Sequence, residues 1–288
     1  MNFSINCRGR LLDLSRPVVM GILNVTPDSF YDGGKYTEPK AIVARAETLL
    51  SEGAAIIDVG GMSSRPGSSI VSPRLELERV LPAIDIILEK FPDTILSIDT
   101  LHSEVAMKAV ERGVSIVNDI SGGKYDREMI HVVAAMHVPY VVMHMKGTPD
   151  NMMQQAVYED VTAEVFDFLQ DRIYVCTEAG IHDIIIDVGF GFSKNLEQNY
   201  TLLRQLEVFA VLGKPMLAGL SRKRMAWQLL NLTPEEALPA TLALETLALS
   251  KGVHILRAHD VQEAIQCIKV WEAYNFTGGM AATTHHKV

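Results

Sequence analysis

Cysteine is scarce in this chain. Cys7, Cys176 and Cys267 are the only three in 288 residues, and no two form a Cys-x-x-Cys pair. An odd number at such spacing argues against a disulfide framework and a structural zinc site, and fits a reducing compartment. Positive charge is also short: 26 Lys and Arg face 35 Asp and Glu, a net charge of −9. Broad nucleic-acid binding needs a basic face, so no nucleic-acid partner is expected, and any anionic substrate must rest on a few local Arg, Lys or metal contacts. No apolar run approaches the roughly 18 residues of a membrane span. The opening MNFSINCRGRLLDL lacks an apolar signal core, so a soluble, cytoplasmic protein with no membrane partner is expected. The first apolar run is not followed by a G-x-G-x-x-G turn, the usual mark of a dinucleotide fold.

What the chain does have is enough apolar material for a large core, 48% hydrophobic residues against 21% charged. Eight short runs rich in Val, Ile, Leu and Met do not alternate with polar residues: Val18–Val25, Ala55–Val59, Ile95–Asp99, Ser115–Ile120, Tyr140–His144, Ile184–Val188, Pro215–Leu220 and Val253–Ala258. Such runs suit parallel strands buried on both faces. Helical spacing lies between them, over Pro39–Gly53, Pro73–Lys90, Ser103–Arg112 (with Ser103 a candidate N-cap), Arg127–Met136, Tyr158–Gly180, Asn195–Leu212, Pro234–Ser250 and Val261–Tyr274. A further short helix is expected over Arg222–Leu230. Eight strand–helix pairs predict a single (β/α)8 TIM barrel over residues 15–276 in preference to an open doubly wound sheet. Residues 1–14 read as a β-hairpin around Arg8-Gly9-Arg10 that caps the barrel bottom, and residues 277–288 as a flexible polar tail.

The active site of such a barrel lies at the C-terminal ends of its strands. There the eight runs end at or near Asn24, Asp58, Asp99, Asn118-Asp119, His144, Asp187, Ser221-Arg222-Lys223 and Arg257 with His259. Asp99, Asn118, Asp187 and Lys223 suit a flat heterocycle with an amidine-like edge, since a carboxylate accepts two N–H bonds from such an edge. Arg65, Arg257 and His259, with Asn24 as an oxygen ligand, suit a diphosphate and a Mg²⁺ ion.

These residues stand in stretches that resemble the dihydropteroate synthase family. Met20-Gly21-Ile22-Leu23-Asn24-Val25-Thr26-Pro27-Asp28-Ser29-Phe30 is similar to its first signature, and Asp58-Val59-Gly60-Gly61 with Arg65-Pro66-Gly67 to its second. Ser97-Ile98-Asp99-Thr100, Asn118-Asp119-Ile120, Met143-His144-Met145, Asp187 with Gly189-Phe190-Gly191-Phe192, Ser221-Arg222-Lys223 and Arg257-Ala258-His259-Asp260 follow in order. The resemblance spans about Leu11 to Ala273. It implies joining of (7,8-dihydropterin-6-yl)methyl diphosphate to 4-aminobenzoate, with Mg²⁺ as cofactor and a homodimer formed through the last helices. It further implies that Asn24 binds Mg²⁺, and that Asp99, Asn118, Asp187 and Lys223 hold the pterin. Ser64, Arg65, Arg257 and His259 would hold the diphosphate or the loops over it. Pro66, Phe190 and Ser221 would lie near the aminobenzoate. Lys223, Asp99, Asp187 and Arg257 form the expected catalytic set.

Four positions depart from the family pattern: Met62 stands for Glu, Ser64 for Thr, Val188 for Pro and Arg224 for Ser. Other roles are plainer. Asp28 and Asp119 read as braces, Asp32 as a turn residue or a magnesium contact, His144 as a hydrogen-bonded barrel residue and Arg222 as the partner of a nearby acid. Met143, Met145, Met152 and Met153 read as packing. The competing functions are a pterin-dependent methyltransferase barrel, a Schiff-base lyase using Lys223, and a non-catalytic pterin-binding relative.

Overall fold

Each apolar run forms a parallel strand, and the eight strands close on one another. The structure is a computed structural model and describes residues 3–26 and 39–276. The barrel strands are β3 (Val18–Asn24), β4 (Ile56–Gly60), β5 (Ile95–Asp99), β6 (Ile116–Asp119), β7 (Tyr140–Met143), β8 (Ile184–Asp187), β9 (Met216–Ala218) and β10 (Ile255–Ala258), with β10 paired to β3. They follow the antiparallel hairpin of β1 (Ser4–Cys7) and β2 (Arg10–Asp13), which turns at Arg8 and Gly9, both at positive φ. The surrounding helices are α1 (Pro39–Ser51), α2 (Pro73–Lys90), α3 (Ser103–Glu111), α4 (Met129–Met136), α5 (Val161–Glu178), α6 (Leu196–Arg204), the short α7 (Arg224–Trp227), α8 (Leu238–Ser250) and α9 (Val261–Asn275).

The two-residue period of a strand sorts its side chains into two cores. Outward residues such as Val19, Ile57, Ile98, Val142 and Ile186 pack against the helices. Inward, each strand gives one apolar residue to a lower layer: Met20, Ile56, Ile95, Ile116, Val141, Ile185, Leu217 and Ile255. Ile5, Cys7 and Leu14 of the N-terminal segment pack on this layer and close the barrel from below. Two residues further along each strand, the inward positions become Ile22, Asp58, Ser97, Asn118, Met143, Asp187, Gly219 and Arg257. The polar mouth is therefore built one layer above a sealed apolar floor.

The helix boundaries differ from the sequence expectation in ways that local chemistry explains. Ser103 does not cap α3. It is the first helical residue, and its backbone N–H donates to Asp126 Oδ2 at 2.8 Å. The segment expected as one helix over Asn195–Leu212 is two: α6 starts with a capping box between Asn195 and Gln198, and a 3₁₀ stretch follows over Leu206–Leu212. Asp160 caps α5 through two backbone N–H groups, so that helix starts at Val161 rather than Tyr158. α8 begins only at Leu238, with Pro239 in its first turn, where a missing N–H costs nothing. Among the described residues no helix is long and apolar enough to cross a membrane. Residues 277–288, Asp28, Asp32 and the end of the first signature (Pro27 to Phe30) lie outside the described residues.

Candidate active site

The centre of the mouth is an ion-pair bridge across the barrel. Arg257 on β10 donates through Nε to Asp58 Oδ2 on β4 and through Nη2 to Asp99 Oδ2 on β5, each at 2.6 Å. Asn118 on β6 donates from Nδ2 to the same Asp58 Oδ2 at 3.0 Å. Burial works against the Arg257 charge, but Asp58 and Asp99 more than offset it and raise its proton affinity above the ordinary value. Burial pushes Asp99 up to about 7, while Arg257 pulls against it and Asp58 adds to the rise.

Lys223 and Asp187 complete the ring. Asp187 ends β8, and its Oδ1 accepts from the Gly189 N–H at 2.7 Å. Burial raises its pKa and Lys223 opposes the rise. Lys223 precedes α7, donates from Nζ to the carbonyl oxygen of Phe190, and stands 4.5 Å from the centre of the Phe192 ring. Burial pushes it down to about 8, and Asp187 holds it back. Space for this lysine comes from glycine: a Cβ at Gly191 would meet Lys223 Cδ at 3.0 Å.

Asn24 ends β3 beside this group. A Cβ at Gly60 would stand 3.1 Å from Asn24 Oδ1 and 3.7 Å from Asp99 Cβ, so glycine leaves a cradle between the amide oxygen and the acid. Among the described residues no group of three His, Cys, Asp or Glu side chains could enclose a metal. One amide oxygen in an open cradle suits a cation that takes its other ligands from water and phosphate, as Mg²⁺ does. Across the mouth, Ser221 Oγ lies 3.1 Å from His259 Nδ1 and accepts from the His259 backbone N–H at 3.2 Å. Burial and then Arg257 push His259 down to about 4.

Ser64, Arg65 and Pro66 lie on the loop after β4. Arg65 and Pro66 are exposed, and the loop is braced by the Ser68 hydroxyl and by the Gly67 N–H, which donates to the Pro149 carbonyl at 2.9 Å. Beneath the loop, Met62 packs with Leu101, Ile120, Met143, Met145, Met152 and Phe192, and Met153 packs against this cluster. Where the family pattern carries a glutamate, this chain therefore has an apolar anchor for the loop.

Several secondary roles read from sequence have visible partners. Asp119 accepts from Ser121, Gly123 and the Tyr140 hydroxyl and is a brace. Arg222 is paired with Asp260 through two nitrogens, at 2.9 and 2.6 Å. Phe190 is placed differently from the other expected site residues. Its side chain is fully buried in the outer core, and it reaches the mouth through its carbonyl, while Phe192 supplies the ring beside Lys223. Two participants were not in the expected set. Asp58 could have been found by counting two residues on from the inward Ile56; Lys194, buried behind Asp187, has no comparable sequence signal.

Fold and mouth together define a (β/α)8 barrel with a charge-dense cluster of polar side chains at its strand ends. Residues 20–259 match the family described as pterin binding enzyme. The chain is 43% identical over 268 residues to the dihydropteroate synthase of Escherichia coli K12, covering 92% of this chain and 94% of that one. The solved Xanthomonas albilineans dihydropteroate synthase with 4-aminobenzoic acid superposes with a TM-score of 0.89 at 41% identity, over 95% of this chain and 98% of that one. The structure of the X. albilineans enzyme in complex with 7,8-dihydropteroate gives 0.84 at 39% identity, over 94% and 98%. The chain belongs to the pterin-binding enzymes, and among them to the dihydropteroate synthases.

Proposed function

We propose that this chain joins (7,8-dihydropterin-6-yl)methyl diphosphate to 4-aminobenzoate, forming 7,8-dihydropteroate and diphosphate, a transferase step of folate biosynthesis. The observation that carries the reading is the meeting of Asp99, Asn118, Asp187, Lys223 and Arg257, from five separate segments, at one rim. An ionised Asp187 suits the amidine-like edge of the pterin, with Asn118 and Lys223 able to donate to ring oxygen and nitrogen. Arg65, Arg257 and His259, with Ser64, are assigned to the diphosphate end and the loops over it. Pro66, Ser221 and the segment holding Phe190 are assigned to the aminobenzoate.

The bond that breaks joins the methylene carbon to a diphosphate oxygen, and the bond that forms joins that carbon to the arylamine nitrogen. An arylamine is uncharged at neutral pH and already nucleophilic, so attack needs no strong base. The demand is to stabilise the charge that grows on the departing diphosphate, which suits preorganised cations. Arg65 and Arg257 meet that demand, while Asp99 and Asp187 favour positive charge spread into the dihydropterin ring. Asn24 is the assigned protein ligand for Mg²⁺, which when bound would add positive charge beside the diphosphate. Incubation with both substrates is expected to release one diphosphate per dihydropteroate. Chelation is expected to stop the reaction and added Mg²⁺ to restore it; product formation undiminished in chelator would remove the metal assignment, and absence of product with Mg²⁺ would remove the function.

The shifted pKa values set a narrow working range. Asp99 is charged above about 7, and Lys223 is charged below about 8. The value of kcat/KM for the pterin substrate should therefore peak between those two values and fall on both sides, as for any pair needed in opposite protonation states. Unshifted groups would instead give a plateau from about pH 4 to about pH 10. A flat profile between pH 6 and pH 9 would contradict the assignment.

A homodimer through the last helices is part of the same proposal. α8 is apolar on nearly every side, and Leu247 on α8 with Val270 and Tyr274 on α9 are exposed. A second copy of this face would cover that apolar surface. Sedimentation equilibrium should give twice the chain mass, with Leu247→Glu shifting the weight toward one copy; a wild-type monomer at micromolar concentration would exclude the dimer. The three buried free thiols support a reducing, cytoplasmic setting.

A further inference from the structure

Among the described residues, the mouth leaves one buried lysine without a role. Lys194 is 2% exposed. Its Nζ lies 2.9 Å from His144 Nδ1 and 3.0 Å from the carbonyl oxygens of both Gly189 and Phe192, with the His144 carbonyl at 3.4 Å. A lysine head group rarely stays buried unless it is fully bonded. Here it is, by two stretches of chain that follow different strands.

The two carbonyls bracket the turn that serves the pocket. Gly189 accepts from Lys194 through its oxygen and donates through its N–H to Asp187 Oδ1 at 2.7 Å. Phe192 accepts from Lys194 through its oxygen and places its ring beside Lys223. Between them, Phe190 offers its carbonyl to Lys223. The backbone of this turn is held where most residues do not go: Gly189 and Gly191 have φ of +71° and +79°, and Ser193 has φ of +46°. A Cβ at Gly189 would stand 2.0 Å from the His144 carbonyl oxygen, so the turn is pressed directly against the strand end that Lys194 binds.

We propose that Lys194 is a positioning residue for recognition of the pterin ring: it ties both ends of the 189–192 turn to His144 and so fixes Asp187 and Lys223 relative to each other. Lys194 does not itself reach the substrate. Without it the turn loses its shared anchor, the carboxylate and ammonium of the pocket drift apart, and binding of the rigid bicyclic ring suffers before the chemical step does. The inference rests on the dihydropteroate synthase reading.

The test is steady-state kinetics of Lys194→Ala in the full-length protein, with and without n-propylamine, which can refill the space left by the side chain. KM for the pterin diphosphate is expected to rise at least fivefold, with kcat and the KM for 4-aminobenzoate at saturating pterin diphosphate changed less than threefold. Propylamine is expected to reverse the rise, and propanol, of similar shape with one donor, is not. A rise below fivefold, an equal loss in every parameter, or a rise that propylamine leaves in place overturns the proposal. If Lys194→Ala does not fold, the comparison of His144→Leu with His144→Asn decides. The leucine variant removes an acceptor of the clamp and should raise the same KM at least threefold, and the asparagine variant, which keeps an acceptor, should not; equal behaviour of the two overturns it. A wild-type protein that makes no dihydropteroate refutes the functional reading, whereas an active wild type with an indifferent variant refutes the positioning role alone.

Discussion

Arg257→Met is expected to lower the stability of the folded protein by about 3–5 kcal/mol at pH 8 and to abolish product formation. The magnitude is that of removing one partner from a buried charge cluster. In the wild type a single guanidinium is paired with both Asp58 and Asp99, at 2.6 Å each. Its loss leaves two carboxyls inside a narrow barrel with no paired cation, only the more distant field of Lys223 on Asp99, and Asp58 Oδ1 already has no hydrogen-bond partner. The sign of the pH dependence follows. A carboxyl stripped of its cation binds a proton more readily in the folded chain than in the unfolded one, so the variant gains stability as pH falls. The deficit relative to wild type should be widest at pH 8 and narrower at pH 6 in urea titrations. A difference below about 1 kcal/mol at pH 8 would mean that the bridge is not the electrostatic centre of the mouth.

Asp187→Asn is expected to reduce kcat/KM for the pterin diphosphate by about two to four powers of ten while leaving the fold intact. A hydrogen bond to a charged group is worth about 1.5–3 kcal/mol, and a buried donor left unmatched costs about 1–3 kcal/mol more. The asparagine carries both losses: it removes the negative charge and turns an N–H₂ toward the N–H groups of the pterin edge. Its remaining oxygen can still accept from Gly189, so the turn after β8 survives. The burial that raises the Asp187 pKa also means that neutralising the residue costs the folded state little. A reduction of less than tenfold would place the pterin edge elsewhere.

The barrel was legible because its strands are buried on both faces. Runs such as Ile95–Asp99 and Ile184–Val188 are too apolar to confuse with an exposed sheet, and each carries an aspartate, Asp99 or Asp187, at or next to its end that cannot stay in the core unpaired. Asp58 shows where this reading stops. Its position was visible, but its importance depends on Arg257, 199 residues away, and on Asn118, 60 residues away. No local pattern announces such partners. The Ser103 cap fails for the same reason, since the acceptor that serves α3 is Asp126, supplied by the chain before α4. Phe190 and Phe192 differ by two positions and in a strand would face the same way. The positive-φ glycines between Asp187 and Lys194 break that period, which sends one ring into the core and the other to Lys223. Met62 is the opposite case: a departure from the family pattern that the sequence leaves unexplained becomes ordinary packing once the cluster under the loop is seen.

The most direct measurement is a crystal structure of the protein with dihydropterin diphosphate or a non-hydrolysable analogue bound. The ring should lie flat in the β-barrel mouth, with its amidine-like edge donating to Asp187, its ring oxygen and nitrogen within hydrogen-bond distance of Asn118 and Lys223, and the diphosphate directed to the Arg65 and His259 side. A ring bound outside the strand ends, or one seated there with its amidine-like edge turned away from Asp187, would contradict the account.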